Sequence, residues 1–296
     1  MEHMTSPEEI KGKKISVVAI WRAAVNLVVS EPRVLVPFAV LAAVEIVQLF
    51  ILANSPHFPV NKIMAPLIQR IWGGVFLHYP YIYELLPRLV YYAKMAAGVF
   101  VGGVTTAMAC LIVLQVERDR RVSLRKAFRQ SMGRYVSLFL LMLLLYVAVH
   151  YAMKQPQLLL ATLFHGKAKL LFLGPRPWFE VILPTFLFLL AVILQGFFVF
   201  SIPFIVIKGK KFLAALWSGV VLFAKNALRT LVLVGVPMLL YIPVTIVRSN
   251  TNTLADKFGP ESIVFVLFVG VLIATFIVDA LVTVATTLFF IEATDA

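Results

Sequence analysis

Residues 208–247 read KGKKFLAALWSGVVLFAKNALRTLVLVGVPMLLYIPVTIV, and this stretch decides what kind of chain it belongs to. A basic knot of Lys208, Lys210 and Lys211 opens a segment whose polar positions Lys211, Ser218, Lys225 and Arg229 fall at helical spacing. Phe212, Leu213, Leu216, Trp217, Val220 and Phe223 lie largely opposite. That pattern is an amphipathic helix lying in a membrane surface, and the apolar run behind it is a helix that spans. The same design is written near the start, where Ala19-Ile20-Trp21 and Arg33 repeat the spacing of Ala215-Leu216-Trp217 and Arg229. A looser copy occupies Ser123 to Arg134, with Ala127-Phe128 in place of the Ala-x-Trp and an apolar run from Tyr135 behind it.

Composition agrees. A chain of 296 residues that is 61% hydrophobic and 14% charged is too apolar for a soluble globular domain, whose apolar share is nearer half. The strand alternation of a β-barrel is absent, so crossing falls to helices of about 20 apolar residues each. In such a chain a net charge of +13 does not point to nucleic acid. The basic residues cluster at the ends of apolar runs, where they set orientation and meet anionic head groups. Cys110 is the single cysteine, so no intrachain disulfide forms, and the N-terminal MEHMTSPEEIKGKK has no apolar core of a cleavable signal.

Read in order, the first surface helix covers 14–30, with Arg22, Asn26 and Ser30 on its wet face, and Glu31-Pro32 ends it. Spans are expected at about 34–53, 90–116, 135–153, 181–207, 230–247 and 263–291. The aromatic and Pro-rich residues between 54 and 89, and the segment 154–179, read as helices resting on the opposite interface, with 66–78 and 157–173 as the places where the chain could re-enter. Of the 27 Lys and Arg, 17 fall on the side of the three surface helices and 10 on the other, which puts that side and both termini in the cytoplasm. The expected fold is therefore all-α: one integral membrane domain over 1–296, a bundle of six transmembrane helices with three cytoplasmic-side surface helices. Its pseudo-threefold repeat would have units at about 14–116, 123–207 and 208–292.

Ionisable groups inside spans are costly and mark the first places to look for function. On the last span Thr275, Asp279, Thr283 and Thr287 recur every four residues as one polar stripe. Either the threonines bond back to their own helix while Asp279 pairs with a neighbour to fix the bundle, or the stripe handles a substrate or proton. Glu45 and Gln48 share a face of the first span, and Glu45 together with Asp279 would make a proton-binding site if the two spans met. Tyr146, His150 and Lys154 align on the third span, where a lone His is a packing residue before it is a ligand. The five histidines show no metal-ligand spacing, so no metal and no cofactor is assigned. Gly98-x-x-x-Gly102 with Gly103 and Ala107 offers a small face for a neighbouring helix, and Pro37, Pro184, Pro203, Pro237 and Pro243 mark kinks. No Walker loop, Gly-x-Ser-x-Gly elbow or His-Glu-x-x-His motif is present, so the chain is not read as an enzyme.

The line FVFSIPFIVIKGKKFLAALWSGVVLFAKNALRT at 198–230, with its Ala-, Trp- and Ser-bearing surface helix ahead of a span, resembles six-helix bacterial membrane proteins related to the membrane domain of glycerophosphoryl diester phosphodiesterases. The resemblance implies six spans, a bacterial inner-membrane location and a membrane part without catalytic residues. Three functional readings follow. In the first, a non-catalytic protein engages anionic lipid through Arg118, Arg120, Arg121, Arg125, Lys126, Arg129, Lys208, Lys210, Lys211 and Lys225, and shelters an amphiphile or a partner subunit. The second is a transporter or permease subunit using Asp279, Glu45 and the kinked spans. The third is a structural subunit of a larger membrane assembly, built from copies of this chain or from other membrane proteins.

Overall fold

The computed structural model describes residues 16–118, 120–165 and 176–295, and every regular element among them is helical. In chain order these are α1 (Val17–Ser30), α2 (Val36–Ala53), α3 (Asn61–Ile71), α4 (Tyr81–Ala97), α5 (Gly103–Glu117), α6 (Leu124–Met132), α7 (Tyr135–His165) and α8 (Arg176–Val199). There follow α9 (Ser201–Val206), α10 (Phe212–Lys225), α11 (Ala227–Leu239), α12 (Ile242–Ser249), α13 (Thr251–Phe258), α14 (Ser262–Val271) and α15 (Asp279–Asp295). A π-helical turn, Gly98–Gly102, joins α4 to α5, and a second, Leu272–Val278, joins α14 to α15.

Five stretches among the described residues are long and apolar enough to cross a membrane: Pro32–Ala53, Tyr81–Glu117, Tyr135–Gln155, Thr185–Val206 and Ser262–Thr294. A sixth is reached only if α10 and α11, bent 97° at Asn226, count together. The expected fifth span at 230–247 is not one helix. Pro237 lies inside α11, which stops at Leu239, and Pro243 opens α12, where its ring removes a backbone donor and crowds the carbonyl of Leu239 four residues back.

Two further expectations are corrected. Residues 81–89 do not rest apart from the second span but begin it: the helix runs 37 residues from Tyr81 to Glu117 through Pro87. At 1.5 Å per residue that is roughly 55 Å, against about 30 Å of hydrocarbon, so one end stands clear of the apolar layer. The third span likewise continues past 153, as α7 extends to His165. Of the segment expected to re-enter at 157–173, residues 166–175 lie outside the described residues, as do 1–15 at the start of the first surface helix.

The core has two ends. At one pole, α1, α6 and α10 cover a cluster built from the last turns of α5, α9 and α15, with Ile112, Val113, Ile205, Val284 and Phe290 buried within it. Phe200 packs on Phe289 with ring centroids 5.7 Å apart, and Phe204 meets Phe290 edge-on at 4.8 Å. α6 lies on α5, α10 on α9 and α8, and α1 on α15. Each short helix turns a narrow set of positions inward: Ile20, Ala24 and Leu27, then Ala127 and Ser131, then Ala215, Gly219 and Phe223. A Cβ on Gly219 would stand 2.7 Å from Ser201 Oγ, so glycine is what lets α10 close on α9. At the other pole, Leu49, Ile68, Leu85, Leu86 and Ile263 join the end of α2 to α3, α4 and the start of α14.

The tryptophans do not occupy matching places. Trp21 packs against the core with its indole Nε1 buried and without a hydrogen-bond partner, whereas Trp217 is 70% exposed. Ala19 is exposed and Ala215 fully buried, so the register that aligns Ala19 with Ala215 is not the one the helices use. One-letter likeness aligned the two helices one residue out of register, about 100° around the helix axis.

Candidate functional site

The first span and the last come together, and their polar residues meet a third partner. Thr275 Oγ1 donates to Glu45 Oε2 at 2.6 Å and accepts from Lys94 Nζ at 3.1 Å. The Lys94 ammonium is also 3.5 Å from Glu45 Oε2. Glu45 and Thr275 are buried, while the Lys94 side chain keeps 33% of its surface exposed. A Lys and a Glu on separate spans, joined through a threonine hydroxyl, form a continuous chain of charge-assisted hydrogen bonds in which each donor finds an acceptor.

Local backbone geometry sets this up. Lys94 stands one turn before the first π-turn, and Thr275 lies inside the second. Such turns widen the helix by about one residue and recur at functional sites. The second one changes how the polar stripe is presented. Thr275 faces α2 and α4, while Asp279, just past the turn, lines a cavity instead. Thr283 lines the same cavity, and Thr287 Oγ1 donates to Cys110 Sγ at 3.2 Å. Thr286, which the stripe left out, bonds back to Val282 O at 2.6 Å. Back-bonding therefore describes Thr286 and not Thr275 or Thr287, which reach across to other helices.

The cavity measures about 290 Å³ and is lined by α2, α4, α5, α7, α8, α9 and the last span. Its walls are mostly apolar, with Leu41, Met142, Leu145 and Phe198 among them, and its polar groups include Lys94, Thr106, Tyr146, Gln195 and Asp279. That is near the lower end of the roughly 300–1,000 Å³ typical of small-molecule sites, which are likewise apolar with few polar groups. Lys94 and then Glu45 are the charged groups acting on Asp279, so the two acids on which the sequence reading depended do share one neighbourhood. Gly98 makes room for the aromatic wall, since a Cβ there would collide with the Tyr146 ring and hydroxyl. The small face of Gly98 and Gly103 thus receives α7 of the same chain, through Tyr146 and Met142.

Other candidate residues fall elsewhere. Gln48 stays on the Glu45 side of α2 with its Oε1 buried and unpartnered. His150 packs between Tyr91 and Tyr151, with ring centroids at 6.5 and 5.7 Å, and is not part of the cavity wall. Arg118, Arg120, Arg121, Arg125, Lys126, Arg129, Lys208, Lys210, Lys211 and Lys225 are all exposed at the pole of the short helices. Lys210 is tied down there, donating to Ser218 Oγ at 2.7 Å and sitting 4.6 Å over the Phe204 ring. Among the described residues no three His, Cys, Asp or Glu side chains gather as a metal site would need.

Lys94 was missed as a site residue. The sequence places it among the outer-end cations, and its signal, a lysine thirteen positions into what proves one long helix, shows only once 81–97 is joined to the span. No family model, curated protein or solved structure matches the chain.

Proposed function

We propose that this chain is a non-catalytic membrane protein that takes a small organic solute or amphiphile into the cavity between its spans, in the manner of a permease or a membrane-embedded binding protein. The observation carrying this reading is Asp279, a carboxylate lining a largely apolar cavity near the middle of the last span, beside the Lys94–Thr275–Glu45 chain. An intramembrane acid without a hydrogen-bond donor of its own is expensive, and apolar packing would serve stability better. At this volume the cavity suits a small molecule and not a whole two-chain lipid.

Cys110 lines the cavity and is the chain's only cysteine, so it reports on entry. Neutral methyl methanethiosulfonate added to membranes should label Cys110, or Thr106→Cys in a Cys110→Ala background, and Leu145→Trp should block labelling by filling the space. Absence of labelling at both positions would overturn the reading.

A second observation favours lipid contact at the basic pole. Leu213, Trp217 and Val221 form an exposed apolar stripe on α10, flanked by exposed Lys211 and Lys225. An amphipathic helix bent 97° from the apolar helix after it suits a surface position, with α1, α6 and α10 forming a collar on the cytoplasmic leaflet of a bacterial inner membrane. Each basic residue near an anionic surface contributes about 1 kcal/mol. Replacing Arg125, Lys126, Arg129, Lys208 and Lys211 by Gln should lower the anionic lipid retained on purification, as read by mass spectrometry of bound lipid. Unchanged retention would remove this part of the proposal.

A further inference from the structure

We infer that the cavity selects a small organic cation, with Asp279 as its counter-ion and Lys94 as the built-in cation against which it competes. The inference rests on the cavity reading and goes further, because it names the charge of the ligand.

Among the described residues, this neighbourhood holds two carboxyls, Glu45 and Asp279, and one ammonium, Lys94. Lys94 is committed to Glu45 at 3.5 Å and to the Thr275 hydroxyl at 3.1 Å, so the charge left over is that of Asp279, on the cavity wall. Were Lys94 to swing toward Asp279, Glu45 would be the one left over. With both carboxyls ionised, either arrangement leaves the site short of one positive charge, which a proton or a solute cation can supply. A buried charge is stabilised when it is paired, and a solute cation supplies the missing partner.

The remaining wall fits a cation with an apolar body. Phe198 and the Tyr146 ring present aromatic surface, which attracts ammonium groups within about 6 Å of a ring centre. Leu145, Val149 and Val199 surround the rest with hydrocarbon. Among the described residues, an anion would meet Asp279 with only Lys94, already held by Glu45, to answer it, and a neutral solute would leave the carboxylate as it found it. Lys94 is a third exposed and lines the cavity as well, so it can give way along a polar edge while remaining in the site. It therefore sets how strongly a cation must bind to be held.

The test is a charge series on the same cavity reporters. Membranes carrying the wild-type chain, and the Thr106→Cys variant in the Cys110→Ala background, are treated with size-matched methanethiosulfonates. One bears a trimethylammonium, one is neutral and one bears a sulfonate, each rate being normalised to that of free thiol. A low-dielectric cleft of one sign concentrates the opposite charge by about 10- to 1,000-fold, so the cationic reagent should lead the neutral one by at least about tenfold and the sulfonate should trail. Asp279→Asn should bring the cationic and neutral rates together, Lys94→Met should widen the gap, and tetramethylammonium should protect the wild-type thiol. Labelling by the neutral reagent with no preference for the cation, or a preference that survives Asp279→Asn, overturns this inference and leaves the cavity reading standing. Failure of the neutral reagent at both positions overturns the cavity reading and this inference with it.

Discussion

Breaking the Lys94–Glu45 contact tests whether the polar chain is a working part of the bundle. At 3.5 Å two unit charges attract by about 5 kcal/mol if the effective dielectric is ~20. Lys94 keeps a third of its side-chain surface, so water screens part of that, whereas Glu45 is 4% exposed and has little access to solvent. Polar pairs between membrane helices measure about 0.6 kcal/mol on average and reach roughly 1.7. Removing one partner of a buried ion pair costs about 3–5 kcal/mol in water-soluble proteins. A coupling of about 2 kcal/mol between Glu45→Gln and Lys94→Met lies between these bounds. Glu45→Gln keeps an acceptor for the Thr275 hydroxyl, so it isolates the charge. Lys94→Met leaves two carboxyls in one neighbourhood without their cation and should be the more damaging single change, and adding Asp279→Asn to it should recover stability. The assay is reversible unfolding in mixed micelles, with the double-mutant cycle read as free energies. Single effects that simply add, to within about 0.5 kcal/mol, would refute the reasoning, as would a Lys94→Met protein that Asp279→Asn does not help.

Three further outcomes are expected. Gly98→Ala should destabilise by about 1–3 kcal/mol through its collision with Tyr146, while Gly102→Ala, whose added carbon meets nothing nearer than 3.7 Å, should be nearly neutral; thermal unfolding in detergent reads both. In single-tryptophan proteins, brominated lipid should quench exposed Trp217 strongly and half-buried Trp21 weakly, and equal quenching would contradict the different settings of α1 and α10. Thr275→Val, which removes the hydroxyl between Lys94 and Glu45, should cost about 1 kcal/mol, and Thr275→Ser should restore it.

Much of this architecture is legible in the residues, and the misses have physical causes. Apolar runs between basic clusters announce crossing helices, because hydrocarbon demands a length of apolar chain whatever the neighbours are. Period-four spacing singled out Thr275, Asp279, Thr283 and Thr287, and two of those four line the cavity. Their partner escaped notice because Lys94 follows Pro87 and a run of tyrosines that resemble an interface, and only tertiary packing shows that Pro87 is absorbed within one helix. The π-turns carry no local signature: the glycines at 98, 102 and 103 read as a generic small face, and nothing near Thr275 announces that the period is about to change. The proposed equivalence of Trp21 and Trp217 failed for a related reason. An indole suits either a core edge or a lipid interface, so matching tryptophans say little about facing, whereas the small residues Ala24, Ala127, Ala215 and Gly219 mark where helices close on one another.

The two poles of the bundle also differ in a way that bears on how a solute could reach Asp279. Toward the basic pole, the cavity wall at Cys110, Ile202 and Thr286 gives way to a buried layer of Val113, Phe200, Phe204, Phe289 and Phe290, in which Phe200 pairs with Phe289 and Phe204 with Phe290. Thr287 pins that layer to α5 through Cys110. A polar solute coming from that side would have to part an aromatic core packed like the interior of a soluble protein, which resists even small changes of volume. Toward the other pole stands Lys94, a third exposed, with both π-turns at about its level. At that level α2, α4 and the last span meet through hydrogen bonds that can be exchanged, with the cluster of Leu49, Leu85 and Leu86 packed beyond them. On the proposed reading, a cation entering past Lys94 meets repulsion first and its counter-ion only afterwards. That order favours a cation with enough apolar surface to be drawn in by the cavity wall before its charge is paired.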